Sequence, residues 1–483
     1  MSEKTGSSPQ SSTFSIQGEE NQPQRKGLGV VTASVFIVGA ICGSGVLAVP
    51  QAIVNIGYIG PIVLVACGLI SSYTGSILGR CWTLLRARYP EYEHERITDP
   101  YPTIAHRAGG KVAEIATRVC IDVTLFGGAT VFLLLIAGNI SNLIANLGDK
   151  QFSLCYLLLI VTGVLTPFTW LGTPKDFWQA GVVAACTSVI ASFFVFGSLM
   201  TAIPDHPNPQ HAATQWSLFF SAFGTILFSF GGASCFPTIQ VDMKQPNKFP
   251  VSVVIGISTV LAVYLLVGLT GFFVLGDDME PNVLDALPPG WMSYTVNILV
   301  TSHLLMAFLI VSNPVSQEIE GFFKIPDKFG VKRILVRTSL SGMAMFVGLT
   351  VPHFDIILSL LGGSTIALTN FIFPPLFYLL LSRQRTPSAA HGPLPSYIQS
   401  SIETTSDSTS LHPQPHVQSR EEDPAQPSWM QVDLELHIKV ILIEIILIGI
   451  VGGVSSTYFS FASLVNGDSG FTVPCYVNVS VGL

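Results

Sequence analysis

The chain has 483 residues, of which 49% are hydrophobic and only 11% are charged, and its formal net charge is −7. An average soluble domain carries about 25% charged residues, so this composition excludes an ordinary soluble globular protein and indicates a membrane protein. We therefore expect the lipid bilayer, and no nucleic acid, among its partners.

Apolar runs long enough to cross a bilayer recur along most of the chain. A transmembrane helix needs about 20 mainly apolar residues, and uncharged runs near this length predict an all-α membrane protein with eleven transmembrane helices. The predicted spans, numbered one to eleven, cover residues 28–54, 59–85, 119–147, 152–171, 177–203, 216–241, 250–275, 291–312, 334–351, 354–381 and 437–463.

Residues 1–27 precede the first span and are polar, with many Ser and Gln residues. They contain no basic segment, short apolar core and cleavage site in succession, so we expect no signal peptide and a disordered cytoplasmic N-terminus. With this end inside, all of the 23 Lys and Arg residues except Lys150 lie in inner segments, as the positive-inside rule requires. An odd number of spans then places the C-terminus outside the cell or in a lumen.

The first span is interrupted where residues 38–50 read VGAICGSGVLAVP. Glycine costs roughly 1 kcal/mol and proline roughly 3 kcal/mol relative to alanine inside a helix, so this segment predicts a broken helix. Irregular backbone at membrane depth is tolerated only where it lines a cavity or is buried in protein. Close helix packing or a plain kink is the alternative explanation of such glycines.

A second interruption lies in span six, where residues 227–240 read LFSFGGASCFPTIQ. The two breaks are five spans apart, which predicts that spans one to five and six to ten form two repeats of a ten-helix core over residues 28–382. Because each repeat has an odd number of spans, the second repeat enters the membrane from the opposite side, and the two repeats are inverted relative to each other. Paired interruptions of this kind point to the midplane substrate site of a secondary transporter.

Each break exposes backbone groups of one kind, hydrogen-bond donors at the first break and acceptors at the second. The half-helix that starts after the first break presents N–H donors that favour an anion such as a carboxylate. Freed carbonyl oxygens at the second break accept from an ammonium group, so the two breaks together suit a zwitterion. The predicted substrate-binding residues are Ile41, Gly43, Ser44, Gly45 and Val46 in span one, and Ser229, Phe230, Gly231 and Gly232 in span six.

Two titratable residues inside predicted spans are candidates for proton coupling. His303 lies about twelve residues into span eight, roughly 18 Å deep at 1.5 Å per residue. Its imidazole either binds the proton or lines the substrate pocket, and the alternative is a neutral histidine hydrogen-bonded between helices. Asp122 follows Arg118 by one helical turn at the inner edge of span three, where we expect a local ion pair, with an intracellular gate or proton site as the alternative.

The segment after span ten differs in composition from the rest of the chain. Residues 386–428 contain seven prolines and nine serines, so we expect 383–432 to be a disordered cytoplasmic linker before an eleventh helix at 433–465. An outer tail at 466–483 follows, in which Asn478 begins a glycosylation sequon. The other sequon, at Asn139, falls inside span three and should be inaccessible.

The eight cysteines do not suggest a disulfide framework. Six lie within or at the edges of predicted spans. Only Cys155 and Cys475 lie at the outer side, and we do not expect them to pair.

The sequence offers no constellation for catalysis. It contains no HExxH motif, no paired carboxylates within a span and no Cys/His cluster, so we expect neither enzyme activity nor a metal or cofactor. A membrane sensor that binds an amino acid and signals through its linker is the alternative to a transporter.

Four segments are distinctive enough to compare with known families: GSGVLAVPQAIVNIGYIGP, FGGASCFPTIQVDM, SNPVSQEIEGFF and VPHFDIILSLLGGSTIALTNFIFPPLFYLL. They resemble, in that order, the first-span signature, the sixth-span signature, the motif after span eight and the span nine to ten region of the amino acid/auxin permease family. The resemblance covers about residues 27–385. It implies eleven spans, a five-plus-five inverted repeat and amino acid cargo driven by a sodium or proton gradient.

The chain departs from one subgroup of that family at Gly39. Sodium-coupled neutral amino acid transporters carry Asn just before the first-span motif, as in NAIMGSG, where this chain reads GAICGSG. Because the side-chain oxygen is missing here, the resemblance favours proton over sodium coupling. We expect the protein either in the plasma membrane or in a lysosomal or vesicular membrane.

Overall fold

The computed structural model describes residues 27–89, 91–94, 97, 99–148, 152–170, 177–326, 329–384, 434–466 and 475. Within these ranges the chain is helical, apart from turns and one isolated bridge that pairs Leu28 with Met243. The helices are α1 (Val30–Ile41), α2 (Ser44–Ile56), α3 (Gly60–Arg88), α4 (Glu91–His94), α5 (Pro100–Gly148), α6 (Leu154–Thr169), α7 (Phe177–Thr201), α8 (Trp216–Ser229), α9 (Phe236–Val241), α10 (Phe249–Val274), α11 (Trp291–Phe322), α12 (Val331–Thr350), α13 (Phe354–Leu361), α14 (Phe373–Arg383) and α15 (Leu436–Asn466).

Helices lie over every predicted span. Seven helical stretches in the described chain are long and apolar enough to cross a membrane, and three shorter apolar helices, α1, α6 and α8, accompany them. The long apolar helices expose many large hydrophobic side chains, as lipid-facing surfaces do, while the buried interior consists mainly of Leu, Ile, Val and Ala with several aromatic side chains. The chain is therefore a multi-pass helical membrane protein.

Both predicted helix breaks are present. The first separates α1, which ends at Ile41, from α2, which begins at Ser44. The second separates α8, which ends at Ser229, from α9, which begins at Phe236. Span ten contains a further irregularity that the sequence analysis did not predict, a π-helical stretch at Gly362–Ile372 between α13 and α14.

The two broken spans lie at the centre of the helix packing. The first half of span one, α1, packs on α7 and α10, while its second half, α2, packs on α8 and α10. Around them α11 packs along α5, and α15 packs on α8 and on the π-helical stretch. Helix α10 thus touches both halves of span one.

Cys155 and Cys475 form a disulfide, with their Cα atoms 5.6 Å apart, so the expectation that they do not pair is wrong. The backbone N–H of Cys475 donates to the carbonyl of Leu349 at 3.0 Å, which places Cys475 beside the end of α12 as well as at Cys155 of α6. Sequence spacing could not show this proximity. Asn139 is fully buried in α5.

Several sequence predictions fall outside the described residues. These are residues 1–26 of the N-terminal segment predicted at 1–27, residues 385–432 of the linker predicted at 383–432, and all of the tail predicted at 466–483 except residues 466 and 475, including the glycosylation candidate Asn478.

Candidate substrate site at the two helix breaks

The structure brings the predicted site residues of both spans into contact. A Cβ atom built on Gly232 would stand 2.6 Å from Cγ1 of Ile41, and one on Gly45 would stand 3.1 Å from Cβ of Ser229. Real Cβ atoms rarely come this close to other atoms, so the two spans can approach each other here only because both positions are glycine. The two breaks therefore lie directly against each other.

The first break uses some of its predicted donors internally. The N–H of Gly43 donates to the Ile41 carbonyl at 2.8 Å, and that of Val46 donates to the Gly43 carbonyl at 3.3 Å. The N–H groups of Ser44 and Gly45 lie in the first turn of α2, where a helix leaves its donors without intrahelical partners. These two donors, with the helix dipole behind them, are the part of the break that can hold a carboxylate.

The second break uses most of its predicted acceptors internally. The carbonyl of Ser229 lies 2.9 Å from the Tyr264 hydroxyl. The carbonyl of Phe230 accepts from the Asn370 amide at 2.5 Å and from the N–H of Gly232 at 2.8 Å. Of the carbonyls of Ser229, Phe230 and Gly231, that of Gly231 accepts no hydrogen bond among those of the described residues.

Tyr264 on α10 and Asn370 in the π-helical stretch are site residues that the sequence analysis missed. Both are buried, and Asn370 also accepts the N–H of Ala233 at 2.9 Å, so it spans the second break from end to end. One feature of the sequence could have identified both residues. Each is a polar side chain within an apolar span, where a hydrogen-bonding group needs a partner inside the protein.

The packing at Gly39 leaves no space for a larger residue. A Cβ at this position would stand 2.5 Å from the carbonyl oxygen of Gly181, because α1 and α7 approach backbone to backbone. An asparagine here would require the two helices to separate. The position therefore offers neither a side-chain oxygen nor room for one.

His303 reaches the first break from α11. Its side chain is buried, and Nδ1 lies 3.3 Å from the Ser188 hydroxyl on α7. Its Nε2 lies 3.1 Å from the point where a Cβ of Gly43 would stand. The imidazole is thus hydrogen-bonded between helices and also borders the candidate site, so both sequence-based interpretations describe part of its environment.

Asp122 does not form the expected ion pair. Among the described residues Arg118 pairs with Asp99 at 3.1 Å, with Glu318 at 3.2 Å and with Glu114 at 3.5 Å. Asp122 instead has the side chain of Glu318 as its carboxyl neighbour. Glu318 comes from α11, which packs along α5 and brings a second carboxyl group to this position.

Both flanks of the site are closed by other segments. On the α1 side, Leu28 bonds in both directions with the segment after α9, donating to Asp242 at 2.8 Å and accepting from Lys244 at 2.9 Å. On the α2 side, the loop between α10 and α11 covers span one, and the N–H of Val283 donates to the Leu47 carbonyl at 3.0 Å. These bonds attach both halves of span one to neighbouring segments.

The fold and the paired breaks define the class of the protein as a helical membrane transporter. Its structure is similar to the crystal structure of MhsT in complex with L-phenylalanine, with a TM-score of 0.55 and 11% identity, over 90% of this chain and 99% of that one. Residues 26–398 match the model of the transmembrane amino acid transporter protein family, and the chain belongs to this family, which confirms the resemblance. The family is one of transporters, not enzymes.

Curated relatives agree with this assignment. Amino acid transporter AVT1E of Arabidopsis thaliana is 26% identical over 389 residues, which cover 77% of this chain and 70% of the relative. Amino acid transporter AVT1B of the same plant is 25% identical over 360 residues, which cover 72% of this chain and 64% of the relative.

Proposed function

We propose that the protein is a secondary active transporter that moves amino acids across a membrane by alternating access. The observation that supports this proposal is the close contact between the two helix breaks, with Gly45 against Ser229 and Gly232 against Ile41. We propose that the N–H donors of Ser44 and Gly45 and the Gly231 carbonyl bind the amino acid. Donors suit the carboxylate of an amino acid and acceptors suit its ammonium group. The proposed architecture has eleven spans, of which the first ten form a five-plus-five inverted repeat.

We infer that a proton is the coupling ion. His303 supports this choice because its imidazole, a group that can take up and release a proton, borders the first break. The close packing at Gly39 argues against sodium, since a cation site there would lack the side-chain oxygen. Asp122 and the neighbouring Glu318 are the second candidate, because two adjacent carboxyl groups favour sharing a proton.

We infer a cytoplasmic N-terminus and an extracellular or lumenal C-terminus, in a plasma membrane or a lysosomal or vesicular membrane. The distribution of Lys and Arg supports this orientation. The disulfide supports it independently, because disulfides persist in oxidising compartments and this one lies on the side opposite the basic loops.

Uptake into proteoliposomes tests the proposed function. The full-length protein is reconstituted and offered a panel of labelled amino acids at acidic and neutral outer pH, with and without sodium. We expect accumulation of at least one amino acid that follows the pH gradient and does not require sodium. If no gradient drives accumulation of any amino acid, coupled transport is refuted, whereas binding without flux would identify a sensor.

Replacement of His303 by Ala should alter the pH dependence of uptake. The substitution removes the titratable group at the first break, so a pH gradient should no longer drive accumulation, while exchange of amino acid down its own gradient should persist. The measurement is the initial uptake rate between pH 5 and pH 8. His437→Ala is the matched control, because His437 is an exposed residue on α15. An unchanged pH profile in His303→Ala removes this residue from the mechanism.

A further inference from the structure

Tyr264 occupies an unusual place between the two breaks. Its side chain is fully buried on α10, and its ring meets the Phe230 ring edge-on at a centroid distance of 5.6 Å. Its hydroxyl oxygen lies 3.0 Å from the Ile41 carbonyl and 2.9 Å from the Ser229 carbonyl. These are the last residues of α1 and α8, so one hydroxyl group touches the ends of helices from both broken spans.

The two carbonyls share the single hydrogen of the Tyr264 hydroxyl. A tyrosine hydroxyl has one hydrogen to donate, whereas each carbonyl oxygen is an acceptor only. The hydroxyl can therefore form a full hydrogen bond to only one of the two carbonyls at a time. When either helix end moves away, the hydrogen is free to bond the other end fully.

The packing around the hydroxyl leaves space for it because residue 45 is a glycine. A Cβ atom on Gly45 would overlap the hydroxyl oxygen and would stand 2.9 Å from Cζ, so Gly45 is the residue that lets Tyr264 reach the breaks. The contact also spans 223 residues of sequence to Ile41 and 35 to Ser229, which joins the two halves of the core.

We propose that Tyr264 is a positioning residue that couples the two helix breaks, so that a movement of the end of α1 is transmitted to the end of α8 through a single exchanged hydrogen bond. The proposal rests on the proposed function, in which these helix ends move during transport. Tyr264 contributes to the rate of that movement more than to the affinity for the amino acid.

Tyr264→Phe tests the proposal because it keeps the ring and removes only the hydroxyl. In proteoliposomes we expect the maximal uptake rate to fall about fivefold or more while KM changes less than about twofold, since loss of a buried hydrogen bond alters a conformational balance by this order. Tyr294→Phe is the matched control, because it removes a hydroxyl 3.4 Å from the Asn146 carbonyl, away from the breaks. An unchanged maximal rate, or a change in KM alone, would overturn the proposal.

A second readout does not depend on flux. Cys42 directly follows Ile41, is a free thiol and is fully buried. If the hydroxyl holds the breaks together, Tyr264→Phe should increase the rate at which a membrane-permeant maleimide labels Cys42 about fivefold or more, while Tyr294→Phe leaves it unchanged. Equal labelling rates in Tyr264→Phe and the wild type would refute the coupling role. Absence of uptake by the wild type would instead refute the proposed function, so the two failures are distinguishable.

Discussion

Substitution of Gly43 by valine is expected to abolish amino acid uptake while leaving the protein folded. The added Cβ would stand 3.1 Å from Nε2 of His303, and the two methyl groups would add bulk at the start of α2, beside the donors of Ser44 and Gly45. A ligand that must approach these N–H groups closely would be displaced by about 1 Å or more, which in enzymes can cost about 100-fold in rate. The measurement is the initial uptake rate of a saturating substrate, normalised to the amount of reconstituted protein.

A glycine in open space provides the control for this substitution. A Cβ on Gly163 of α6 would meet no atom within 4 Å, so Gly163→Val should transport at the wild-type rate. Gly43→Ala should retain partial activity, because it adds only the first of the three carbons. Full activity of Gly43→Val would show that the first break is not the substrate site.

Substitution of Glu320 by alanine is expected to destabilise the protein by roughly 3–5 kcal/mol, the range measured when one partner of a buried ion pair is removed. Arg337 donates to Glu320 through two nitrogens, at 2.6 Å and 3.3 Å, and its side chain is only 1% exposed. It also donates to the Thr169 carbonyl at 2.5 Å and to Asn313 at 3.2 Å, so it joins α6, α11 and α12. Without Glu320, the guanidinium would be a buried charge without its main counterion.

The measurement is the unfolding transition of the purified protein in detergent. Glu91→Ala is the matched control, because Glu91 pairs with Arg107 at an exposed site and such pairs contribute about 0–1 kcal/mol. The double variant Glu320→Met and Arg337→Met should be more stable than Glu320→Ala, because it removes Arg337 together with its counterion, although Arg333 loses its contact with Glu320 and Thr169 and Asn313 lose a donor. A wild-type transition in Glu320→Ala would contradict the assigned role.

The breaks were predictable because their cause is local. Glycine and proline disfavour a helix at the position where they stand, so the pattern located both interruptions without knowledge of the neighbours. The partners of the breaks were not predictable, because they are distant in sequence. Asn370 bonds Phe230 across 140 residues, and nothing in the composition of span ten specifies that pairing.

The same limit applies to the charged groups. The spacing of Arg118 and Asp122 predicted a local pair, but Arg118 pairs with Asp99, Glu114 and Glu318, and Glu318 is 200 residues away. A local preference is worth only about 0.2–0.5 kcal/mol, so it does not decide which of several nearby carboxylates a cation pairs with. The segment SNPVSQEIEGFF, which sequence comparison could only describe as similar to a motif, supplies both Asn313 and Glu320 to the buried Arg337.

The disulfide between Cys155 and Cys475 has a consequence for the connectivity of the whole molecule. It closes a covalent ring in which the two cysteines are 320 residues apart, and this ring includes every helix from α7 to α15. Helix α15, whose contacts are with α8, α13, α14 and the π-helical stretch, is consequently attached to the molecule at both of its ends. A single peptide-bond cleavage between α14 and α15 would open the ring without releasing the last helix.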